Sequence, residues 1–322
     1  MAACPVRPDR LPRVAGRDHT LALLRIGYPY LLQLRQAAGA DVLELQLLGR
    51  PATVLTGADG ARLFYDELAM RRHGAVPRPL RVTLFGSGAV HGLDGPAHAH
   101  RKQLFLSLLS DDAARRIAAL AADRWADREA PATPPEAFTA ASEVHAAAVQ
   151  EWAGLPAATD PRGLASDLIA IVDGFGSVGP RHLRARLARR RADHWATRVI
   201  GRVRRGLVEV PTGSPVSAIA GHRDGHGGLL PPRVAGVELL NILRPTVAVA
   251  YFVAFAAHRL ALDPRTADRL RSADDAVFES FADELRRVYP FVPMLAAKAR
   301  RRIEYRGTRV PRGAARRLRQ PA

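Results

Sequence analysis

The residues that suggest chemistry most directly are Arg244 and Pro245, which interrupt an apolar stretch, ELLNILRPTVAVAYFVAFAA, at residues 238–257. A guanidinium cannot lose its charge, so a buried arginine needs either a protein carboxylate or an anionic ligand. Proline removes a backbone donor and predicts a kink that opens a gap in the helix. The stretch therefore predicts an anion-binding site at Arg244 or, alternatively, an internal ion pair with Glu238.

A second group of polar side chains precedes another apolar helix. It contains His91 and then, within five residues, His98, His100, Arg101 and Lys102. Closely spaced cationic and imidazole groups without a cysteine suit an anion, such as a carboxylate or a phosphate, better than a divalent metal ion. We expect no metal site here, and a polar helix start that faces water explains the group equally well.

The third candidate pair is Glu284 and Arg287 in the segment FADELRRVYPF. Residues three apart lie on one face of a helix and can form an ion pair. Such pairs occur on many surface helices, so the spacing alone predicts a structural role.

The elements that must position these residues are expected to be mostly helices with a small β-sheet. The 322 residues are 48% hydrophobic and only 6% aromatic, and alanine, leucine and arginine are abundant. Two short runs, residues 42–48 and 52–56, predict a hairpin. Residues 74–95 contain several glycines and predict a long connection. Residues 180–205 predict a basic amphipathic helix whose arginine face is solvated.

The net charge of +17 raises the question of a nucleic-acid partner. Lysine occurs only at positions 102 and 298, and arginines are spread along the chain rather than gathered in one region. We therefore expect no nucleic-acid partner. Only residues 181–205 and 300–319 are dense enough to leave open a nucleic-acid or acidic-membrane surface, and added salt would weaken such binding steeply.

The single cysteine, Cys4, excludes a disulfide within the chain and predicts a reducing, cytoplasmic location. The chain opens without a signal-peptide pattern. The longest apolar stretch, residues 236–257, is interrupted by Glu238, Arg244 and Pro245, and this pattern predicts no membrane span.

In their order and spacing these segments resemble the cytochrome P450 superfamily. LLNILRPTVAVAYFVAFAA is similar to the long distal helix of its fatty-acid peroxygenase branch, which carries arginine and proline where other members have an acid and an alcohol. TLFGSGAVHGLDGPAHAHRKQLF and DGFGSVGPRHLRARLARRR resemble two further stretches of that branch, and ELRRVYPF supplies a Glu-x-x-Arg motif. The resemblance covers residues 18–313 and implies a mainly α fold with a small sheet.

The resemblance also implies residue roles. Arg244 would bind the carboxylate of a fatty acid above a haem, and Pro245 would shape the pocket that admits hydrogen peroxide. The fatty acid would be hydroxylated at the alpha or beta carbon or decarboxylated, without a redox partner. The remaining positions that match the branch are His98 and Lys102 for the haem propionates, His91 and Phe85 for the substrate pocket, and Glu284 with Arg287 for structure.

The end of the chain departs from the family. The pattern predicts a disordered leader at residues 1–16, a truncated cytochrome P450 domain at 17–313 and a basic tail at 314–322, without the haem-ligand loop and last helix. Cys4 lies in the leader and would not replace the missing thiolate. We therefore expect impaired catalysis, and the alternative is a non-catalytic protein that binds fatty acid or haem.

Overall fold

A computed structural model describes residues 18–157, 159–292, 294–305, 308–313 and 315–318. The predicted leader lies outside the described residues, as do residues 314 and 319–322 of the predicted tail. The chain divides into two compact units, one formed by residues 1–77 with 286–322 and the other by residues 78–285. Most described residues are helical, so the predicted mainly α fold with small sheets is confirmed.

The first unit contains a five-stranded sheet in the order Val42–Leu47 (β1), Arg50–Leu55 (β2), Ala315–Leu318 (β7), Met294–Ala299 (β4) and Met70–Arg71 (β3), and a two-stranded sheet formed by Ile303–Tyr305 (β5) and Thr308–Val310 (β6). Strands β1 and β2 pair antiparallel, which confirms the predicted hairpin. Its turn residues Leu48 and Gly49 both have positive φ, 57° and 67°, as the tight hairpin turns that match strand twist require. The elements in chain order are α1 (Thr20–Ile26), α2 (Tyr28–Ala38), β1 (Val42–Leu47), β2 (Arg50–Leu55), α3 (Gly57–Tyr65), β3 (Met70–Arg71), β4 (Met294–Ala299), β5 (Ile303–Tyr305), β6 (Thr308–Val310) and β7 (Ala315–Leu318).

The second unit is helical, and it contains the candidate site residues between positions 84 and 102 and between positions 189 and 245. Several of its helices begin with proline at the first turn, where the missing N–H costs nothing. The helices are α4 (Arg78–Phe85), α5 (Gly95–Leu108), α6 (Asp111–Ala126), α7 (Pro134–Ala153), α8 (Pro161–Asp173), α9 (Pro180–Arg204), α10 (Pro215–Gly221), α11 (Pro232–Val247), α12 (Ala250–Leu262), α13 (Pro264–Arg271) and α14 (Asp275–Val288), with one 3-10 turn at Val90–Gly92.

Helix α11 lies in the core of this unit and packs closely against α9. A Cβ at Gly236 would lie 2.9 Å from the backbone nitrogen of Thr197 and 3.0 Å from the carbonyl carbon of Ala196, so only glycine allows this approach. The facing side of α9 is built from small buried residues, Ala188, Ala192 and Ala196. Close packing of small residues fixes the position of α11, and with it the side chains that α11 carries inward.

Two sequence-based expectations are wrong in this unit. Residues 74–95 are not a plain connection, because α4 and the 3-10 turn lie within them. The glycines follow the helix and do not exclude it. Gly86 and Gly88, directly after α4, have φ of 86° and 82°, values typical of residues that terminate a helix. The arginine face of α9 is not wholly solvated either. Arg189 is only 3% exposed.

Where the sequence predicts a kink, α11 and α12 are separated by two residues, Ala248 and Val249, whose dihedrals stay near helical values. Pro245 lies inside the last turn of α11, which ends at Val247, and α12 begins at Ala250. Because proline has no N–H, the carbonyl of Asn241 cannot receive the usual bond from position 245. One described stretch, Pro232–Leu262, is long and apolar enough to cross a membrane by length and composition, and half of its most apolar 18-residue window is buried inside the protein.

Candidate anion-binding site

Arg244 lies at the centre of the site and is almost completely buried, with 6% of its surface exposed. Its Nη1 donates hydrogen bonds to the backbone carbonyl of Leu84 and, at 2.9 Å, to Oδ1 of Asn241. Its guanidinium carbon lies 5.3 Å from the centroid of the Phe85 ring. Among the described residues no carboxylate pairs with Arg244, so its charge meets only neutral acceptors and an aromatic ring.

The predicted ion pair between Arg244 and Glu238 does not form, because Glu238 has other partners. Its Oε1 accepts from the Val90 N–H at 2.8 Å and from Nη1 of Arg101 at 2.8 Å. Its Oε2 accepts from Nδ2 of Asn241 at 3.2 Å. Complete burial raises the pKa of Glu238, while these three donors act against that rise. The carboxylate is thus already satisfied by these donors and does not neutralise Arg244.

Phe85 and His91 form a stacked pair beside Arg244. Their ring centroids are 4.1 Å apart and the rings are inclined by 17°. Part of the His91 side chain is exposed, but protein atoms around the ring displace water. This desolvation lowers the pKa of His91 to about 4, and the charges of Arg244 and His98 act in the same direction. His91 is therefore neutral at neutral pH and adds no second cation to the site.

Arg189 reaches the same carbonyl as Arg244, from α9. Its Nη1 donates to the Leu84 carbonyl at 3.3 Å, and its Nη2 pairs with Oδ1 of Asp193 at 2.6 Å. Gly86 leaves the space that this guanidinium fills, because a Cβ there would lie 2.1 Å from Nη2 of Arg189. Two buried arginines thus converge on one backbone oxygen.

The histidine and cation group on α5 does not form a single site. His98 and Lys102 are four residues apart, so they project from one face of the helix, and Lys102 is exposed. Arg101 points inward to the core. His100 instead contacts the backbone carbonyl of Arg223 at 2.9 Å. In the described part of the chain no group of three or more His, Cys, Asp or Glu residues could hold a metal ion.

The remaining predicted residues are at helix ends. Pro245 lies exposed in the last turn of α11. Glu284 is exposed and Arg287 half-buried, both on α14. Their pairing, like the roles of Pro245, His98 and Lys102, stays a prediction.

Sequence reasoning missed Asn241, Arg189 and the Leu84 carbonyl. Asn241 joins the two charged groups, since its Oδ1 accepts from Arg244 while its Nδ2 donates to Glu238 and, at 3.0 Å, to the Phe85 carbonyl. The available signal for Asn241 was its position midway between two charged residues of an apolar helix. For Arg189 no local signal existed, because its neighbours on α9 are also arginines.

No protein-family model matches the sequence. Among solved structures the chain is similar to cytochrome P450SP alpha (CYP152B1) in complex with (R)-ibuprophen, with 39% identity, a TM-score of 0.86 and coverage of 94% of this chain and 75% of that one. It is also similar to cytochrome P450EX alpha (CYP152N1) with myristic acid, with 32% identity, a TM-score of 0.87 and coverage of 96% and 75%. A variant of cytochrome P450 OleT in complex with arachidonic acid matches with 30% identity, a TM-score of 0.88 and the same coverage. Because this identity of 30–39% extends over three quarters of those proteins, the chain belongs to the cytochrome P450 superfamily, in the CYP152 group of fatty-acid peroxygenases.

Proposed function

We propose that this chain carries the substrate side of a fatty-acid peroxygenase, in which Arg244 binds the carboxylate of a fatty acid. The observation that supports this most is a buried guanidinium without a carboxylate partner among the described residues. An ionised, desolvated carboxylate is the natural partner of such a group, since charge-assisted hydrogen bonds to guanidinium are the strong ones. Two of the similar structures hold fatty acids, myristic acid and arachidonic acid.

The surroundings of Arg244 suit a ligand with a charged head and an apolar chain. Phe85 offers an aromatic surface next to the guanidinium, and the neutral His91 ring stacks on it. Neither ring brings a competing charge, so Arg244 would fix the carboxylate while the rings contact the first carbons of the chain. The oxidant would be hydrogen peroxide, and no redox partner would be needed. The cytoplasmic location of the protein stays a prediction.

The family implies a haem, and the described residues fit it only in part. His98 and Lys102 on one face of α5 are suitable partners for haem propionates. The described residues contain no cysteine, and the single cysteine of the sequence, Cys4, lies outside them. A cytochrome P450 haem takes a thiolate from the protein, which promotes oxygen–oxygen cleavage. On the iron side the described residues do not fit the cofactor, and we derive no chemical step through it.

This partial fit favours impaired hydroxylation or decarboxylation by the 322-residue chain. The alternative, a non-catalytic protein that binds fatty acid or haem, uses the same residues at Arg244 and on α5. Both versions require the carboxylate to bind Arg244, so binding is the property to test first.

The test is calorimetric titration of the full chain with octanoate and with the uncharged octan-1-ol. Arg244→Gln should weaken octanoate binding at least about tenfold, because the carboxylate loses its charged partner, and should leave octan-1-ol binding nearly unchanged. Arg233→Gln, an exposed arginine at the start of the same helix, is the matched control and should bind octanoate like the wild type. Equal octanoate affinity in wild type and Arg244→Gln would refute the proposal.

A further inference from the structure

A buried charge cluster surrounds the Leu84 carbonyl and extends beyond Arg244. Arg189 donates to that carbonyl from α9, and its side chain is only 4% exposed. Asp193, one helical turn later, accepts from Arg189 at 2.6 Å and is 19% exposed. The Leu84 carbonyl therefore joins two guanidinium groups, of which only one has a carboxylate partner.

The formal charge of this cluster is one positive unit. Arg244 and Arg189 contribute two positive charges and Asp193 one negative charge. The adjacent pair of Arg101 and Glu238, joined to Arg244 through Asn241, adds no net charge. A site of this kind in low-dielectric surroundings is neutralised by one negative charge, and a second would remain uncompensated.

We propose that Arg189 and Asp193 determine the charge of the ligand at Arg244, so that the site selects monocarboxylates over dianions such as dicarboxylates. This inference rests on the proposed function, because it assumes that the ligand's carboxylate binds Arg244. In it Arg189 is a positioning residue that strengthens the positive potential at the site, and Asp193 limits that potential. The ligand itself contacts Arg244.

The two arginines are close enough to influence each other. Burial lowers the pKa of Arg244 to about 9, and the charge of Arg189 contributes to this shift. At that value Arg244 is still a cation at neutral pH. Gly86 keeps the arrangement in place, since its φ of 86° and the 2.7 Å from a Cβ to Cγ1 of Val237 exclude a larger residue beside Arg189.

The charge count predicts effects of opposite sign for two substitutions in one ion pair. Arg189→Gln lowers the cluster to zero net charge and should weaken octanoate binding, whereas Asp193→Asn raises it to two and should strengthen that binding. For a charge this close, a change on the order of tenfold is expected in each direction. A purely structural ion pair would respond alike to the loss of either partner. Arg189→Lys, which keeps the positive charge, should bind octanoate nearly as tightly as the wild type.

The experiment is titration of the full chain with octanoate, with octanedioate, which has a carboxylate at each end, and with uncharged octan-1-ol. The wild type should prefer octanoate to octanedioate, and Asp193→Asn should reduce that preference. The matched control is Asp167→Asn. It breaks the ion pair between Asp167 and Arg191, an exposed residue of α9, and should change neither the octanoate nor the octanedioate affinity. Melting temperatures of all variants confirm that each is folded.

The outcomes separate this inference from the proposed function. If the wild type and Arg244→Gln bind octanoate equally, the proposed function fails. If Arg244→Gln loses binding but Arg189→Gln and Asp193→Asn change it in the same direction or not at all, the proposed function stands and the charge-selection proposal is overturned.

Discussion

At the scale of single residues, two charges on α11 are accommodated in opposite ways. Glu238 is surrounded by three donors, from Val90, Arg101 and Asn241. Arg244, less than two turns away, has only neutral acceptors among the described residues. Glu238 is therefore paired with a cation within the protein, whereas Arg244 has no carboxylate partner among the described residues. This difference supports a structural role for Glu238 and a binding role for Arg244.

The role of Glu238 leads to a stability prediction. Glu238→Gln removes the negative charge beside Arg101, whose side chain is only 10% exposed, and leaves that cation buried without a partner. The free energy of unfolding should fall by about 3–5 kcal/mol. Urea unfolding followed by circular dichroism measures it. Glu151→Gln is the control, because its pair with Arg124 is more exposed and should contribute less than about 1 kcal/mol. Equal effects of the two substitutions would contradict this.

The sequence indicated that Arg244 needs a partner, but it could not indicate which one. Its described contact with Leu84 spans 160 residues, and the contact of Glu238 with Arg101 spans 137. Within α11 the spacing of six residues between Glu238 and Arg244 made an ion pair plausible. The actual choice depends on which distant elements pack against each face of the helix, and no local pattern contains that information.

At the scale of elements, the break between α11 and α12 places the end of α11 next to the site. Gly236 holds the first half of the helix against α9. Pro245 removes one backbone bond near the other end. Arg244 therefore lies in the last two turns of α11, where the regular backbone hydrogen bonds of the helix come to an end.

Pro245→Ala should join the two helices. The new N–H at position 245 can bond to the carbonyl of Asn241, and the free energy of unfolding should rise by about 1–3 kcal/mol. Hydrogen–deuterium exchange of peptides from residues 238–257 should slow, because a continuous helix protects its amides better than an interrupted one. Pro264→Ala, at the first turn of α13, loses no such constraint and serves as control. Exchange as fast as in the wild type would show that the break does not depend on proline.

Periodic apolar patterns predicted the long helices well. The glycines that separate such patterns were harder to interpret. The prediction at residues 180–205 matches α9 closely. Helix α4 was missed because it is short and followed by Gly86 and Gly88, which made the surrounding residues resemble a loop. Glycine occurs both at helix ends and in loops, so a run that contains several glycines does not by itself exclude a short helix.

At the scale of the whole molecule, the residues of the proposed binding site belong to one compact unit. Arg244, the aromatic pair of Phe85 and His91, and the α5 residues His98 and Lys102 all lie within residues 78–285. The net charge of +17 agrees with an anionic ligand but does not identify it, since arginines are spread over the sequence. The family resemblance, carried by particular motifs, predicted the fold. Composition alone predicted only that the chain is mostly helical.

The thiolate is the feature that decides between catalysis and binding alone. The sequence contains one cysteine, Cys4, outside the described residues and far along the chain from the α5 cations and Arg244. When the purified 322-residue chain is mixed with haem, reduced and saturated with carbon monoxide, its absorption spectrum should lack the red-shifted band of thiolate-bound iron. The Cys4→Ser variant should give the same spectrum as the wild type. A thiolate-type band that disappears in Cys4→Ser would show that Cys4 binds the iron, and the chain would then have the ligand that peroxygenase chemistry requires.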